Sequence, residues 1–222
     1  MNTDCIITID GPSGVGKGTV AQYLCEQTGF HLLDSGAIYR SLAFGVQKQG
    51  LTIENLPGLV ALAENLPVRF ETGKAFYQDE DITLQIRTET VAATASKIAS
   101  IPEVRAALLK RQKDFAQPPG LIADGRDMGT VVFPKAPVKL FLTATAEERA
   151  KRRLNQLKNQ EVDVNIRKIT QDIKERDERD RNRAASPLLP AADALTIDTT
   201  HLSISQVCEQ AINEIRQKGL IE

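Results

Sequence analysis

The sequence has few cysteines and no long apolar segment. Its three cysteines, Cys5, Cys25 and Cys208, lie far apart and form no C-x-x-C pair, which is typical of small core residues in a reducing cytoplasm. No run of about 18 apolar residues offers a membrane-spanning helix. The first ten residues enter an apolar strand pattern at once and lack the basic and then apolar order of a signal peptide. These absences predict a cytoplasmic protein without a membrane partner.

The sequence also lacks an excess of either charge. It carries 28 Lys and Arg against 29 Asp and Glu, a net charge of −1. General binding to nucleic-acid polymers needs a broad basic surface, so we expect no such partner. The positive charges are instead clustered, notably in residues 149–153 and 174–183. No long apolar surface stripe suggests an oligomer, and a monomer is the expected state.

Apolar strand patterns alternate with helical patterns along the chain. The last helix is the clearest, with regular apolar spacing between Ser203, a plausible N-cap, and Gly219, a plausible stop. Nearly continuous apolar strands between helices predict an α/β fold, with a five-stranded parallel sheet covered on both faces. In such folds, ligands bind at the carboxyl ends of the strands. The predicted strands are 4–10, 30–33, 120–124, 138–144 and 194–198.

One segment departs from this alternation. Residues 66–91, LPVRFETGKAFYQDEDITLQIRTETV, alternate apolar and polar residues around a Thr-Gly-Lys turn and an acidic Asp-Glu-Asp turn. This period of two predicts two or three short antiparallel strands. Because the segment interrupts the α/β order, we interpret it as a small insert within a single domain, residues 1–222.

A glycine-rich loop follows the first predicted strand. It reads GPSGVGKGT and fits the P-loop pattern G-x-x-x-x-G-K-[ST] from Gly11 to Lys17, but Gly18 comes next and the hydroxyl is one place late, at Thr19. A strand, a glycine loop and a helix aim backbone N–H groups at phosphates, and Lys17 would reach the outer phosphates from the solvent side of the loop. The alternative is a glycine-rich turn that binds nothing, against which the correctly spaced lysine argues.

A second polar motif reads LLDSGAIYR. We expect a strand to end at Asp34 and a helix to carry Ser35, Tyr39 and Arg40, with Ser35 and Tyr39 one turn apart on the same face. A hydroxyl, an aromatic ring and a guanidinium at one helix start could hold a phosphorylated, ring-bearing acceptor. A capped helix with a half-buried tyrosine would give the same pattern.

A third motif, GLIADGRDMGTVVFP, places Asp124 at the carboxyl end of a strand, followed by Arg126 and Asp127 in the loop. Ligand groups collect at this edge of the fold. Asp124 could therefore lie near a magnesium ion, and Arg126 could clamp a phosphate. A local Arg–Asp ion pair is the alternative.

The fourth motif, KERDERDRNR, is rich in arginine. As a helix it would place Arg176, Arg179 and Arg183 on one face, with Asp177 and Asp180 between them. In most proteins such a pattern is a solvated helix with ion pairs along its surface. The use of arginine for nearly every cation here favours phosphoryl transfer, because planar bidentate donors suit charge spread over phosphate oxygens.

Together these stretches make the sequence resemble the bacterial cytidylate kinases, of the nucleoside monophosphate kinase group, over essentially its whole length. LLKRQKDF at 108–115, residues 121–139 and IKERDERDRNRAASPL at 173–188 add to the resemblance. Lys135 departs from it, since an acidic residue is usual there, and we expect Lys135 at the surface. The ending Gly-Lys-Gly-Thr is usual in monophosphate kinases, so the late hydroxyl of Thr19 marks a kinase subclass. The sequence also lacks the D-x-x-G and N-K-x-D motifs of a regulatory GTPase.

The resemblance implies a function. It implies a P-loop kinase that transfers the γ-phosphoryl group of Mg–ATP in line to CMP or dCMP, giving CDP or dCDP and ADP, with a short lid at 151–163 that closes over ATP. No general base is needed, because a phosphate oxygen is already anionic at neutral pH, and alignment with charge neutralisation supplies the catalysis. The alternatives are a kinase for another small acceptor, such as UMP, AMP or shikimate, and a regulatory nucleotide-binding module without turnover.

The resemblance also implies roles for individual residues. Ser96 and Arg105 enter through it alone, because the sequence by itself gives them as ordinary helix-surface residues. The implied binding residues are Gly11, Pro12, Ser13, Gly14, Val15, Gly16, Lys17, Gly18 and Thr19 for ATP; Thr19 and Asp124 for Mg²⁺; Ser35, Ser96, Arg105 and Asp127 around the cytosine; Arg40, Arg126 and Arg183 at the acceptor phosphate; Arg176 and Asp180 near the ribose; and Tyr39 along the same pocket. The implied catalytic residues are Lys17, Arg126, Arg176 and Arg183.

Overall fold

The structure, a computed structural model, describes residues 4–71, 73–158 and 165–221. The chain divides into two compact units, which we call the sheet unit (Met1–Leu33 and Phe115–Glu222) and the insert unit (Asp34–Asp114). The single domain over residues 1–222 stays a prediction. The strands of the described residues are β1 (Ile6–Asp10), β2 (His31–Asp34), β3 (Val68–Glu71), β4 (Lys74–Tyr77), β5 (Glu80–Asp81), β6 (Leu121–Gly125), β7 (Val138–Thr143) and β8 (Leu195–Asp198).

Helices occupy the predicted spaces between these strands. None of the helices in the described residues is long and apolar enough to cross a membrane. They are α1 (Lys17–Thr28), α2 (Ser35–Lys48), α3 (Leu56–Glu64), α4 (Glu89–Ile98), α5 (Pro102–Lys113), α6 (Ala146–Lys158), α7 (Ile166–Arg181) and α8 (Ile204–Gln217).

The sheet unit is built on a five-stranded parallel sheet in the order β2-β6-β1-β7-β8, which confirms the predicted fold class. The central strand β1 is buried along its whole length, and its residue Ile9 pairs with Asp124 of β6 and Leu140 of β7. The P-loop after β1 therefore leaves the middle of the sheet, with the carboxyl ends of β6 and β7 on either side.

The edge strands are less buried than their apolar sequences predicted. In β2 only Leu33 is buried, and Leu32 exposes 38% of its surface; in β8 only Ile197 is buried. An edge strand is paired on one side only and is covered less fully than a central strand. The expectation that each strand is buried on both faces was therefore wrong for β2 and β8.

Helix α8 packs on the sheet as its spacing predicted. Its N-cap is Ser203, whose hydroxyl and the side chain of Gln206 form a capping box, and Gly219 after its end has a positive φ of 71°. Val207 and Ile212 join the core beneath the sheet, whereas Ile204 is exposed. The cysteines are free thiols, with Cys208 buried and the other two half-buried.

Helices α6 and α7 form a hairpin with a small core of its own, made by Ala150, Leu157 and Ile169. The predicted lid, 151–163, begins inside α6. Its remaining residues, 159–163, lie outside the described residues.

The insert unit contains an antiparallel sheet in the order β3-β4-β5, which confirms the predicted insert. The sheet ends at Asp81, and α4 begins at Glu89 inside the range assigned to the insert. Arg111 of α5 holds β3 by donating to the carbonyl oxygens of Leu66 (2.6 Å) and Val68 (2.5 Å). These contacts join the insert to α5 of the same unit.

Candidate active site

The P-loop fits the sheet so tightly that its first residue must be glycine. Gly11 has φ +145°, and a Cβ atom there would lie 2.1 Å from the carbonyl oxygen of Leu142 in β7. A side chain would collide with the backbone at that point. The loop therefore leaves β1 pressed against β7, and α1 begins directly after it, at Lys17.

Lys17 is buried rather than directed to solvent, which corrects the sequence-based interpretation. Only 7% of it is exposed, and its Nζ donates to the carbonyl oxygen of Pro12 (3.0 Å) and lies 3.8 Å from Oδ1 of Asp124. Burial lowers the pKa of Lys17 to about 8, with the nearby cations Arg126 and Arg176 adding to the effect and Asp124 opposing it. Cations held this close to one another need an anion beside them to offset their repulsion.

The third and fourth sequence motifs meet at one ion pair. Nε of Arg126 donates to Oδ2 of Asp180 (3.1 Å), and Nε of Arg183 donates to the carbonyl oxygen of the same residue (3.3 Å). Burial opposes ionisation of Asp180, yet the charges of Arg126, Arg183 and Arg176 hold its pKa below the usual value. Asp180 therefore holds Arg126 through its carboxylate and Arg183 through its backbone carbonyl, in the positive field of Arg176.

The arginine-rich stretch does not form the predicted arginine face. Helix α7 ends at Arg181, so Arg183 lies beyond it, and Arg179 is exposed. Within α7 the buried residues of the stretch are two acids, Asp177 and Asp180, and beyond the helix Arg183 is also buried. Each of these two carboxylates forms an ion pair with an arginine from another element, and the ion pair offsets the cost of burying the charge.

Asp10, at the end of β1, was missed by the sequence analysis. Its carboxylate accepts hydrogen bonds from the backbone N–H groups of Met128 and Gly129, both at 2.8 Å. These residues open a π-helical turn, Met128–Val132, that directly follows Asp127. Burial raises the pKa of Asp10 to about 7. An acid at the end of an otherwise apolar strand, one place before a P-loop, was the available signal.

Replacing Asp10 with asparagine is expected to lower the free energy of unfolding by about 1–2 kcal/mol, because one buried N–H loses its acceptor. Urea unfolding at about pH 4 measures the change, because Asp10 is protonated in the folded state there and the substitution removes no buried charge; above pH 7 the loss of a charge that burial disfavours would oppose the effect. Asp198→Asn is the matched control: Asp198 accepts two bonds from Thr200, from N (2.9 Å) and Oγ1 (2.5 Å), but is exposed. An equal loss in both variants would contradict the special role of burial at Asp10.

The predicted magnesium ligands face different directions. A Cβ atom at Gly18 would lie 3.9 Å from Oδ2 of Asp124, whereas Thr19 lines a groove of about 460 Å³ with Ile204 and Cys208 of α8. Successive residues of a helix project about 100° apart, so Asp124 lies on the Lys17 side of α1 and Thr19 on the α8 side. No cluster of three or more His, Cys, Asp or Glu side chains suited to a metal occurs among the described residues.

Five of the predicted site residues belong to the insert unit, where several of them meet. The hydroxyl of Ser35 donates to Oε1 of Gln112 (2.7 Å). The guanidinium of Arg105 lies 5.7 Å from the ring centroid of Tyr39, and its Nη1 donates to the carbonyl oxygen of Ala99 (3.1 Å). Gln112 is buried and was not predicted. The other residues of the five are Arg40, which is half-buried, and Ser96.

Ser96 and Arg105 are buried, so their sequence pattern, which suggested ordinary helix-surface positions, was misleading. The hydroxyl of Ser96 makes no hydrogen bond within the described residues. A buried hydroxyl without a partner is costly, and a ligand hydrogen bond would offset that cost. Asp127, the remaining residue assigned to the base, belongs to the sheet unit and is also buried.

A model of the family described as Cytidylate kinase matches residues 7–217. The chain belongs to the cytidylate kinase family. A cytidylate kinase of Colwellia psychrerythraea is 56% identical over 212 residues, which cover 93% of this chain and 94% of the relative. A cytidylate kinase of Marinomonas sp. is 54% identical over 226 residues, the full length of both. The predicted resemblance is thus confirmed, and with it a phosphotransferase enzyme.

One solved structure has the same fold as this chain at low sequence identity. It is a gluconokinase from Sinorhizobium meliloti, 12% identical, which aligns with 97% of this chain and 93% of its own at a TM-score of 0.51. At this identity the likeness shows the fold alone. It agrees with the α/β kinase architecture predicted from the alternating strands and helices.

Proposed function

We propose that the protein transfers the γ-phosphoryl group of ATP to CMP or dCMP, giving ADP and CDP or dCDP. The observation that carries the proposal is the group of cations beside the P-loop, where Lys17 is buried against Asp124 and the charges of Arg126 and Arg176 are near enough to lower the pKa of Lys17. Such a group is unfavourable until phosphates neutralise it. A regulatory module that only binds nucleotide would have little use for arginines from two further elements.

The transfer itself needs alignment and charge neutralisation. An oxygen of the acceptor's 5′-phosphate attacks the γ-phosphorus in line, the bond from phosphorus to the bridging oxygen of ADP breaks, and ADP leaves with the electron pair. The attacking oxygen is already anionic at neutral pH and the bridging oxygen leaves as an anionic phosphate oxygen of ADP, so no proton has to move. The P-loop, Gly11 to Thr19, would hold the ATP phosphates, and Lys17 would stabilise the charge on the transferred group.

We assign the acceptor phosphate to arginines, because their planar donors match phosphate oxygens. These are Arg126 and Arg183, with Arg40 of the insert unit, and Arg176 would join Lys17, Arg126 and Arg183 in catalysis. Asp180 and Arg176 would contact the ribose. The base would be read by Ser35, Ser96, Arg105 and Asp127, with Tyr39 along the pocket.

The residues present fit a magnesium ion bound together with ATP. Mg²⁺ usually takes one or two carboxylates, substrate phosphates and water, and the carboxylate of Asp124 lies on the Lys17 side of α1. Asp124 would hold the ion with the phosphates and water, whereas Thr19, the other ligand implied by the resemblance, lies on the α8 side of α1 and does not face Asp124. The ion would supply neutralisation of phosphate charge.

An acceptor panel tests the proposal. In a coupled assay of ADP release, CMP and dCMP should give the highest kcat/KM, with UMP, AMP and shikimate lower by about tenfold or more, since a site that hydrogen-bonds its substrate rejects analogues that leave its groups unpaired. Faster turnover of another acceptor, or ATP binding without CDP formation, would contradict it. The proposal includes a cytoplasmic monomer in pyrimidine nucleotide metabolism.

A further inference from the structure

Two carbonyl oxygens of the P-loop are engaged by side chains from elsewhere in the sheet unit. The oxygen of Ser13 accepts from Nη1 of Arg149 in α6 (3.1 Å). The oxygen of Val15 accepts from Oγ1 of Thr199 (3.3 Å), and Thr199 is in turn held by Arg152 of α6 through Oγ1 (3.1 Å) and its carbonyl oxygen (2.6 Å). The positive cluster at 149–153, which the sequence analysis left without a role, thus supports the P-loop backbone.

Arg149 is the more deeply buried of these arginines, with 2% of its surface exposed. Its guanidinium forms a two-pronged ion pair with Asp177 of α7: Nη1 donates to Oδ1 (2.9 Å) and Nη2 to Oδ2. Its Nε donates to the carbonyl oxygens of Ala144 (3.2 Å) and Thr145 (3.4 Å), which directly precede α6. Five acceptors therefore fix one planar group, and one of them belongs to the P-loop.

The loop backbone passes close to this arginine. Gly14 has φ +79°, and a Cβ atom there would lie 3.3 Å from Cβ of Arg149. In a trans peptide the carbonyl of one residue and the N–H of the next point in opposite directions. A carbonyl of Ser13 turned toward Arg149 thus turns the N–H of Gly14 away from it, and the same holds for Val15 and the N–H of Gly16.

We propose that Arg149, oriented by Asp177, is a positioning residue that fixes the direction of the P-loop N–H groups before nucleotide binds. The pair acts through the carbonyl of Ser13 and couples the α6–α7 hairpin to the loop. The inference rests on the proposed function only for the identity of the nucleotide. A phosphate-binding loop whose N–H groups already converge loses less conformational freedom when it binds.

The same two helices carry a second ion pair that serves as a control. Nζ of Lys174 in α7 lies 2.8 Å from Oε1 of Glu147 in α6, and these side chains are 54% and 67% exposed. This pair joins the same helices at the surface. Glu147→Gln removes it while leaving Arg149 and Asp177 in place.

The test compares Arg149→Lys, Asp177→Asn and Glu147→Gln in the full chain. Lysine keeps the charge but lacks the planar fork, and asparagine keeps the shape of Asp177 but lacks its charge. Hydrogen–deuterium exchange without nucleotide measures how well the backbone N–H groups of residues 11–16 are held in place. Calorimetry with ATP alone measures the affinity for the nucleotide. In Arg149→Lys and Asp177→Asn we expect faster exchange in the loop and an affinity for ATP that is weaker by about tenfold to a hundredfold. The KM for CMP of these two variants should stay within about threefold of the wild-type value. Glu147→Gln should match the wild-type protein in all three measurements.

Each other outcome would overturn the inference. Unchanged loop exchange and ATP affinity in Arg149→Lys and Asp177→Asn would remove the positioning role, and equal effects in Glu147→Gln would assign it to the hairpin as a whole. Loss of affinity in Arg149→Lys alone would mean that Arg149 contacts the nucleotide itself. Loss of the near-UV circular dichroism signal in both variants would show that they unfold, and the Arg149–Asp177 pair would then be a contact that stabilises the core. Loop exchange is independent of turnover, so wild-type protein that forms no CDP would count against the proposed function alone.

Discussion

Replacing Lys17 with methionine is expected to lower kcat/KM for ATP by about a thousandfold, the upper range for loss of one donor that stabilises transferring charge. The fold should survive, because methionine fills a similar volume without a charge. Burial lowers the pKa of Lys17 to about 8, below its value in an unfolded chain, so the folded state disfavours the charge that the substitution removes. Initial rates of CDP formation and a thermal melting curve measure the two effects.

A second buried lysine makes a close control for this prediction. Lys139 of β7 donates from Nζ to the carbonyl oxygen of Pro134, five residues earlier (2.7 Å), and to Oδ1 of Asp193 (2.9 Å). Lys17 likewise donates to a carbonyl five residues earlier, that of Pro12. Lys139→Met should lower the melting temperature and leave the KM for ATP unchanged. Unchanged CDP formation in Lys17→Met would remove the P-loop assignment.

Replacing Asp180 with alanine is expected to lower kcat/KM for CMP about a hundredfold and for dCMP about tenfold, where each decade corresponds to about 1.4 kcal/mol. The loss common to both substrates comes from Arg126, whose Nε is held by Asp180 at 3.1 Å. The additional loss for CMP comes from the 2′-hydroxyl, which dCMP lacks and which would donate a charged hydrogen bond worth about 1.5–3 kcal/mol. Kinetics with both substrates on one variant measure the ratio.

The ratio separates two roles that the structure leaves side by side. Parallel losses for CMP and dCMP would make Asp180 a positioning residue for Arg126 and contradict the ribose contact. Arg126→Lys is the control, since lysine cannot reproduce the two-dimensional fork of arginine but leaves Asp180 in place. In that variant kcat/KM should fall by the same factor for CMP and for dCMP. Asp180→Asn repeats the test with the shape of the side chain preserved, should the alanine variant prove unstable.

The elements of the fold were largely predictable because their signals are local. Buried strands are short apolar runs, helix α8 repeats its apolar residues at helical spacing, and the insert alternates with a period of two. Asp34 ends its strand and caps α2, with Oδ1 accepting from the N–H of Ala37 (2.9 Å), as the motif LLDSGAIYR predicted. Lys135 is exposed, also as predicted. The misjudged burial of β2 and β8 has a different origin, because an edge position depends on strand order.

The sequence by itself therefore determined the P-loop, the α/β alternation, the insert and the family, because each depends on residues that are close together in the chain. Only the tertiary structure decided which charges are buried and paired. In KERDERDRNR, nothing in the spacing distinguishes exposed Arg179 from buried Asp177, whose partner Arg149 lies 28 residues away. Likewise, Asp10 meets its two donors 118 and 119 residues later. A charge enters a protein interior only where an opposite charge or a hydrogen-bond partner meets it, and the folded chain alone brings those partners together.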